Sequence, residues 1–466
     1  MAAISSISGN NAAPASRATV VSRATAQSLT SSQINALGAK DLAALDVTVF
    51  SGDQLRGITS TTLGKLTTSQ VGKLSGSQLS VLSALQFSGF TAAQAGSISV
   101  SSIGSVSAAQ VGGMTARAVG GFKREQFAAM SDTSIGGFGN TTLRALTSTQ
   151  VAGLLATKGT ALSTAQISSL TSSQLAGTTL VGAANGLQFN LNWDNFTARA
   201  PTGFRNAVVA AAIGMSANFQ NKATINVQVG YGELRGSAVP KSAAAESSST
   251  GNMLSFDALS AALKQKSGNS ALQATAANSL AASDPTNGGR FYVSSAEQKA
   301  LGLKAGSATG LDGYVSLSSG LPFEFNQTAA SGKYDAIGAL EHEFSEVMGR
   351  TASVGSAFGS GVYTALDLYR YQSSSGTASR SLGASSKSFF SIDGGATDLG
   401  NFNPTTGAGD AGDLNISASP DPFGYSVGGA SQALTGNGVV TMAALGWDMT
   451  QSGSQLAAAA KAYQSV

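Results

Sequence analysis

The first part of the chain repeats a pattern of polar and apolar residues every eight positions. From Ser51 to Thr178 the octads follow the consensus Ser/Thr-x-x-Gln-apolar-x-x-apolar, as in TTSQVGKL and TAAQAGSI. Two more, TSSQINAL and GAKDLAAL, precede this run and are separated from it by DVTVF. A Ser or Thr followed three residues later by Gln is the capping box that starts an α-helix, and the two apolar slots share one helix face. The pattern therefore predicts a helical turn in each octad over residues 30–178.

The octads cannot form one continuous helix. Eight residues are not a whole number of helical turns, so the apolar pair would rotate off its face with every repeat. Glycine in slots six and seven also weakens helix propagation. We expect short helical turns, each restarted by its own cap and stacked into a solenoid. A narrow β-solenoid is the less favoured alternative, because short repeats rich in Ser, Thr, Val and Gly suit it as well. Either array would serve as a stalk, or as a surface that contacts a cell or host.

After residue 186 the octad period ends and the pattern becomes that of an α+β domain, expected over 187–450. Alternation of apolar positions predicts strands at 187–196, 222–234, and in GGRFYVSS and LDGYVSLSSG. Longer apolar faces predict helices at 201–220, 254–266 and 439–447. The strand around Tyr314–Ser319 is a candidate sheet edge that would align a peptide substrate by strand addition.

Composition narrows the kinds of site that this chain can build. Its 466 residues include 27 Lys+Arg, 24 Asp+Glu, one His and no Cys, with a formal net charge of +3. The absence of Cys excludes disulfide scaffolds, thiolate metal sites and thiol catalysis. The weak charge argues against nucleic-acid binding, and no apolar run has the length of a membrane span.

The two ends of the chain are expected to be tails. Residues 1–29 are rich in Ser and Ala and contain no acidic residue, which predicts a disordered or export segment. They lack the continuous apolar stretch of a classical secretory signal peptide. Residues 451–466 are polar and Ala-rich and are a second candidate export signal. These features favour a secreted or cell-surface protein that uses another export route.

The single histidine lies in a predicted helix, YDAIGALEHEFSEVMGR (334–350). His342 and Glu346 are spaced i, i+4, so both project from one helix face and could bind one metal ion. Glu343 occupies the position of the general base in H-E-x-x-H metal hydrolases. Since the chain has no second histidine, the third protein ligand should be an oxygen donor. The preferred candidate is Asp367, and the weaker ones are Asp393 and Glu341, while Tyr369 or Tyr371 could ligate the metal or bind an oxyanion.

The string LEHEFSEVMGR resembles a bacterial family of zinc metalloproteases with an HE-x-SEVMGR signature. Members of that family also carry segments similar to LDLYRY (366–371), FSIDGGATDLGNFN (390–403) and ALGW (444–447). The resemblance covers about 187–450 and implies a metzincin-like peptidase domain. It implies His342 and Glu346 on the metal and Glu343 as the base. This chain departs from the extended metzincin motif, since its second ligand is Glu and Ala352 takes the place of the third His.

The sequence thus predicts a secreted zinc-dependent endopeptidase: an octad-repeat solenoid followed by an α+β, metzincin-like domain. Its partner would be a protein or peptide substrate. The alternative is a catalytically inactive surface or adhesion protein with a repeat stalk. Calcium is a second candidate cation, because residues 391–424 supply several Asp in Gly-rich loops.

Overall fold

A computed structural model describes residues 23–328, 332–354, 357–374, 376–383, 387–403, 410–414, 421–424 and 430–464. The chain divides into two compact units, residues 1–177 (the repeat unit) and 178–466 (the C-terminal unit). Among the described residues, no helix combines the length and the apolar character needed to cross a lipid bilayer.

The described part of the repeat unit is a succession of short α-helices. They are Arg23–Ser28 (α1), Ser31–Asn35 (α2), Ala39–Ala43 (α3), Gly52–Gly57 (α4), Ser60–Lys65 (α5), Thr68–Gly72 (α6), Gly76–Ser80 (α7), Ala84–Phe87 (α8), Ala92–Ala95 (α9), Val100–Ile103 (α10), Ala108–Gly112 (α11), Ala116–Val119 (α12), Arg124–Ala129 (α13), Asp132–Gly136 (α14), Asn140–Leu143 (α15), Ser148–Lys158 (α16), Thr164–Ser168 (α17) and Ser172–Leu175 (α18). Short 3₁₀ turns lie at Val47–Val49 and Gly159–Ala161. The prediction of short helical turns is confirmed, except that α16 continues from its own octad into the next one, LATKGTAL, without a new cap. The β-solenoid alternative is wrong.

The capping box forms as the octad pattern predicts. In the octad that contains α8, the Gln86 amide donates to Ser83 Oγ at 3.2 Å, and Gln86 Oε1 accepts from the Ser83 amide at 2.7 Å. This reciprocal pair satisfies two backbone donors at a helix start. The same box is present at Gln54, Gln70, Gln78, Gln94, Gln110, Gln150, Gln166 and Gln174.

The fourth-slot glutamines also join successive coils of the array. Gln86 Nε2 donates to the carbonyls of Leu55 and Ile58, both at 2.7 Å and 31 and 28 residues earlier in the chain. Gln94, Gln110, Gln126 and Gln174 make the same pair of bonds at the same spacings. One coil therefore spans roughly three and a half octads, and each buried carboxamide is satisfied on both sides. The sequence pattern assigned these residues only the capping role.

Glycine in slots six and seven lets neighbouring coils approach backbone to backbone. A Cβ on Gly121 would overlap the backbone of Ala92, one coil earlier, and a Cβ on Gly96 would overlap the Gly121 carbonyl. Gly89, Gly113 and Gly137 meet earlier backbone in the same way. These glycines thus serve close packing in addition to breaking the helix.

The C-terminal unit alternates strands and helices, as the α+β prediction requires. Its described helices are Phe204–Asn218 (α19), Phe256–Gln265 (α20), Ala271–Ser279 (α21), Ser295–Ala300 (α22), Ala336–Val347 (α23), Gly436–Ala444 (α24) and Gln451–Gln464 (α25). Its described strands are Leu180–Gly182 (β1), Leu187–Trp193 (β2), Ala223–Tyr231 (β3), Glu233–Leu234 (β4), Ser237–Ala238 (β5), Ala245–Ser249 (β6), Gly251–Leu254 (β7), Arg290–Ser294 (β8), Gly313–Leu317 (β9), Phe323–Glu324 (β10), Tyr334–Asp335 (β11), Val362–Thr364 (β12), Arg370–Ser374 (β13), Thr377–Arg380 (β14) and Ser388–Phe390 (β15). Short 3₁₀ turns lie at Asn195–Arg199, Lys266–Gly268 and Leu366–Tyr369.

The main sheet has five strands in the order β1-β2-β3-β9-β6. Strands β2, β3 and β9 are parallel, whereas β1 and β6 run antiparallel to their neighbours. Helices α19 and α23 pack against each other and against this sheet, with Phe344 of α23 meeting Phe189 of β2 at a ring-centroid distance of 5.0 Å. Three-stranded sheets β12-β8-β7 and β14-β13-β15 and the pairs β10–β11 and β4–β5 complete the unit.

The edge of the main sheet is not where the sequence placed it. The predicted edge around Tyr314–Ser319 falls on β9, which is flanked by β3 and β6. The edge next to α23 is β6, whose polar sequence AESSS does not show the apolar alternation used to find strands. The prediction of an edge in β9 is therefore wrong, because strand order depends on pairings between distant segments.

The ends of the C-terminal unit extend beyond 187–450. Strand β1 precedes residue 187 and pairs with β2, and α25 occupies most of the predicted tail. Thr450 Oγ1 donates to the Ala217 carbonyl at 2.7 Å, and Ala457 is buried, so α25 packs on the unit rather than extending from it. At the other end, α1 lies within the predicted 1–29 tail, whose residues 1–22 are outside the described residues.

Candidate metal centre

Helix α23 carries the only histidine of the chain and has well-defined ends. Asp335 caps its start, with Oδ1 accepting from the amides of Ile337 and Gly338. Helix α23 ends at Val347 with Met348 as its C-cap, and Gly349 follows with a φ of +110°, a conformation that favours glycine. The chain therefore turns immediately after the helix.

One face of α23 borders a cavity of about 590 Å³. The opposite wall is the segment from Ser242 to Ser247, which includes the start of edge strand β6. The remaining lining residues are Tyr334, Ala339, His342, Glu343, Glu346, Asp410 and Asp413. The structure thus brings three predicted site residues, His342, Glu343 and Glu346, to one cavity, and one ligand atom from each lies within 4.8 Å of the others.

The imidazole of His342 is held in a single orientation. Its Nδ1 lies 2.7 Å from the Pro422 carbonyl, which can only accept, so Nδ1 carries a proton. Its Nε2 faces two carboxylates, with Glu346 Oε1 at 3.4 Å and Asp413 Oδ1 at 3.3 Å. A backbone carbonyl on one ring nitrogen is the usual partner of a metal-binding histidine, since it leaves the other nitrogen free to ligate.

Both carboxylates beside Nε2 are held by further hydrogen bonds. Glu346 Oε2 accepts from Ser247 Oγ at 2.7 Å, and Asp413 Oδ2 accepts from the Asp410 amide at 2.8 Å. Each carboxylate therefore uses one oxygen for support and turns the other toward His342.

The loop 410–414 is positioned by two buried arginines. Arg350 Nη1 lies 3.1 Å from the Gly412 carbonyl and 3.4 Å from Asp413 Oδ1, and its guanidinium covers the Phe423 ring. Arg370, in the LDLYRY segment, donates from Nη1 to the Ala411 carbonyl at 2.8 Å. Both side chains are completely buried. The arginines of VMGR and LDLYRY thus fix the loop that presents Asp413.

The charges in this cluster strongly shift one another's pKa values. Burial and Arg350 act to lower the pKa of His342, but Asp413 and Glu346 outweigh them and raise it to about 10. Burial acts to raise the pKa of Glu346, but His342 and Arg350 bring it down to about 2. Burial and the Glu346 charge raise the pKa of Glu343 well above its usual value, and Glu346 raises that of Asp410 to about 6. The carboxylates around His342 Nε2 therefore favour a positive charge at this position, whether that of a proton or of a metal cation.

The other sequence-predicted residues do not line the cavity. Asp367 is fully buried, and its carboxylate accepts from the amides of Ser353 at 3.0 Å and Thr364 at 2.9 Å, which shapes the loop around it. Tyr369 is buried, and Tyr371 accepts from Arg380 Nη2 at 2.9 Å. These three residues support the surrounding chain instead of facing the cluster.

The weaker candidates are also used elsewhere. Asp393 accepts from Ser391 Oγ at 2.7 Å and from the Thr397 amide and hydroxyl, which makes a local turn. Glu341 directs its carboxyl toward Gly214 on α19. Calcium at residues 391–424 stays a prediction, and part of that segment lies outside the described residues.

Sequence reasoning missed Asp413, Asp410, Tyr334 and Ser247, all of which line the cavity. Asp410 and Asp413 lie in the Gly-rich stretch 391–424, for which the sequence predicts only a calcium site. A usable signal was the pair of arginines, Arg350 and Arg370, in a chain of which only 11% is charged, since a buried guanidinium requires acceptors nearby.

No family model, curated protein or solved structure matches this chain. The assignment of a metal therefore rests on the donors themselves. One imidazole nitrogen and carboxylate oxygens, converging beside a cavity and backed by hydrogen bonds, are a set that fits zinc.

Proposed function

We propose that the protein is a secreted, zinc-dependent endopeptidase with a metzincin-like C-terminal unit. The observation that carries this proposal is the environment of His342 Nε2. His342 Nδ1 donates its proton to the Pro422 carbonyl, so Nε2 of a neutral ring carries a lone pair. That lone pair would face the carboxylates of Glu346 and Asp413, which are also acceptors. A proton or a metal cation is therefore required between Nε2 and these carboxylates. The adjoining 590 Å³ cavity supplies room for a substrate.

Zinc bound in such a site supplies Lewis acidity toward a water and toward the scissile carbonyl. Glu343 accepts the proton of the attacking water and passes it to the leaving amine nitrogen. A divalent cation nearby would offset the burial that raises the pKa of Glu343, and so favour the ionised form that accepts a proton.

The peptide would lie along β6. This strand ends the described sheet, and its start lines the cavity opposite α23. An extended peptide could pair with the outer edge of β6 through main-chain hydrogen bonds. The small residues of Ser242–Ala245 leave space for substrate side chains.

Replacement of Glu343 by Gln tests the proposal. The variant should retain zinc, because Glu343 is not required as a ligand, and should lose hydrolysis of unfolded casein by about 10²–10⁴-fold. Glu297→Gln is a matched control: it makes the same change at a buried glutamate that does not line the cavity, and it should keep full activity. Unchanged activity in Glu343→Gln, or no zinc in the unaltered protein, would favour the alternative of an inactive surface protein with a repeat stalk.

A further inference from the structure

We propose that Asp413 is the third protein ligand of the metal bound by His342 and Glu346. The inference rests on the proposed function in one respect, the presence of that metal, and adds a residue that lies far from α23 in sequence.

The two distances from His342 Nε2, to Glu346 Oε1 and to Asp413 Oδ1, each match the spacing of two ligands on one ion. Ligands at about 2.0–2.2 Å from a tetrahedral zinc lie about 3.3–3.6 Å from one another. Nε2 lies 3.4 Å from Glu346 Oε1 and 3.3 Å from Asp413 Oδ1. Both separations also exceed the optimum of an N–H···O hydrogen bond, about 2.9 Å.

Hydrogen bonds hold one oxygen of each carboxylate, so that the other oxygen faces His342 as a possible metal ligand. Ser247 binds the outer oxygen of Glu346, and the Asp410 amide binds the outer oxygen of Asp413. Arg350 adds a permanent positive charge beside both ligand oxygens, with Nη2 at 3.6 Å from Glu346 Oε1 and Nη1 at 3.4 Å from Asp413 Oδ1. This charge keeps two adjacent carboxylates together before a metal binds.

The competing third ligands fit less well. Glu343 lies in the same cluster, but a carboxylate that binds the metal through its reactive oxygen is not free to accept a proton from water. Asp367 Oδ2 is already occupied by the amides of Ser353 and Thr364. Asp413 has an oxygen directed at His342 and does not serve as the proposed base.

Zinc titration against a chromophoric chelator, on the full chain, tests the assignment. Asp413→Asn should lower zinc affinity by at least about 100-fold, more than the loss of an outer partner alone. Asp410→Asn is the matched control, since it changes an acid of the same loop and the same cavity, and its zinc affinity should stay within about tenfold. Circular dichroism confirms that each variant is folded.

A second variant decides the matter if Asp413→Asn does not fold. Asp413→His offers a nitrogen ligand at the same position, so it should still bind Co²⁺ in place of zinc, with a shifted visible absorption spectrum. A spectrum identical to that of the unaltered protein would overturn the role of Asp413, as would unchanged zinc affinity in folded Asp413→Asn. In either case the proposed function would stand, provided that His342→Ala abolishes zinc binding. Failure of the unaltered protein to bind zinc would instead remove the proposed function itself.

Discussion

Glu297 is a buried acid with no charge partner described beside it. It lies at the start of α22 with about 1 % of its surface exposed, and its Oε1 has no hydrogen-bond partner among the described residues. Burial raises its pKa well above the usual value. Folding therefore favours the protonated form, whose stabilising effect is complete below the unfolded pKa and is lost as pH rises through the folded pKa.

Glu297→Gln should accordingly stabilise the protein at high pH. The variant cannot ionise, so its urea midpoint should exceed that of the unaltered protein at pH 8, and the difference should shrink as pH falls toward 4. Urea unfolding at a series of pH values measures both. The difference in urea midpoint between Glu297→Gln and the unaltered protein should be larger at pH 8 than at pH 4. A difference that is smaller at pH 8 would contradict the raised pKa of Glu297.

Three residues of the candidate site could be predicted because their arrangement is local. The helical spacing of His342 and Glu346 sets their common face whatever the rest of the chain does. Asp413 could not be predicted in the same way, since it reaches the cluster through Arg350 and Arg370, which hold its loop from distant segments. The sequence favours Asp367 as an oxygen donor downstream of the helix, but it does not reveal that backbone amides occupy its carboxylate.

At the scale of the element, adjacent glycines in the array differ in what surrounds them. A Cβ on Gly121 would overlap the backbone of Ala92, whereas on Gly120 its nearest neighbour would be the Arg117 carbonyl at 3.5 Å, an ordinary contact. The two positions thus form a matched pair with different packing.

Gly121→Ala should destabilise the repeat unit by about 1–3 kcal/mol, because the coils must separate to admit a methyl group. Gly120→Ala should be neutral or stabilising, by up to about 1 kcal/mol, because Gly120 follows α12 with a φ of −60°, which alanine adopts without strain. Chemical denaturation followed by circular dichroism compares them. Equal effects of the two substitutions would show that close contact between the backbones of neighbouring coils is not the reason for glycine at position 121.

Most helices of the array could be predicted because most octads carry their own start signal. Exceptions are α3 and α15, which begin after a glycine without a side-chain cap, and the octad at 155–162, which α16 enters from the octad before it. The capping box acts within four residues, so sequence reveals it directly. The bonds from Gln86 to Leu55 and Ile58 could not be predicted, since they depend on how many octads complete a coil. Strand β6 was missed for a similar reason, because its pairing with β9 rather than an apolar alternation makes it a strand.

At the scale of the whole molecule, the two compact units should respond to different perturbations. The candidate metal centre lies entirely in the C-terminal unit, whereas the capping and glycine contacts lie in the repeat unit. The division near residue 178 could be predicted from the end of the octads, but the extension of the second unit through α25 could not, since its polar sequence resembles a tail.

Differential scanning calorimetry should therefore separate the units. Free zinc at 100 times its dissociation constant should stabilise the C-terminal unit by about 2.7 kcal/mol, so a chelator should lower the midpoint of one transition only. Gly121→Ala should lower the midpoint of the other. A chelator that shifts neither transition would argue against bound metal.

The most direct measurement is anomalous diffraction at the zinc absorption edge from crystals grown with one equivalent of zinc. The account predicts one strong peak about 2.0–2.2 Å from His342 Nε2, with Glu346 and Asp413 oxygens at similar distances. If no peak lies at His342, or the imidazole bonds only to the two carboxylates in zinc-containing crystals, the claim that this helix binds a metal is contradicted.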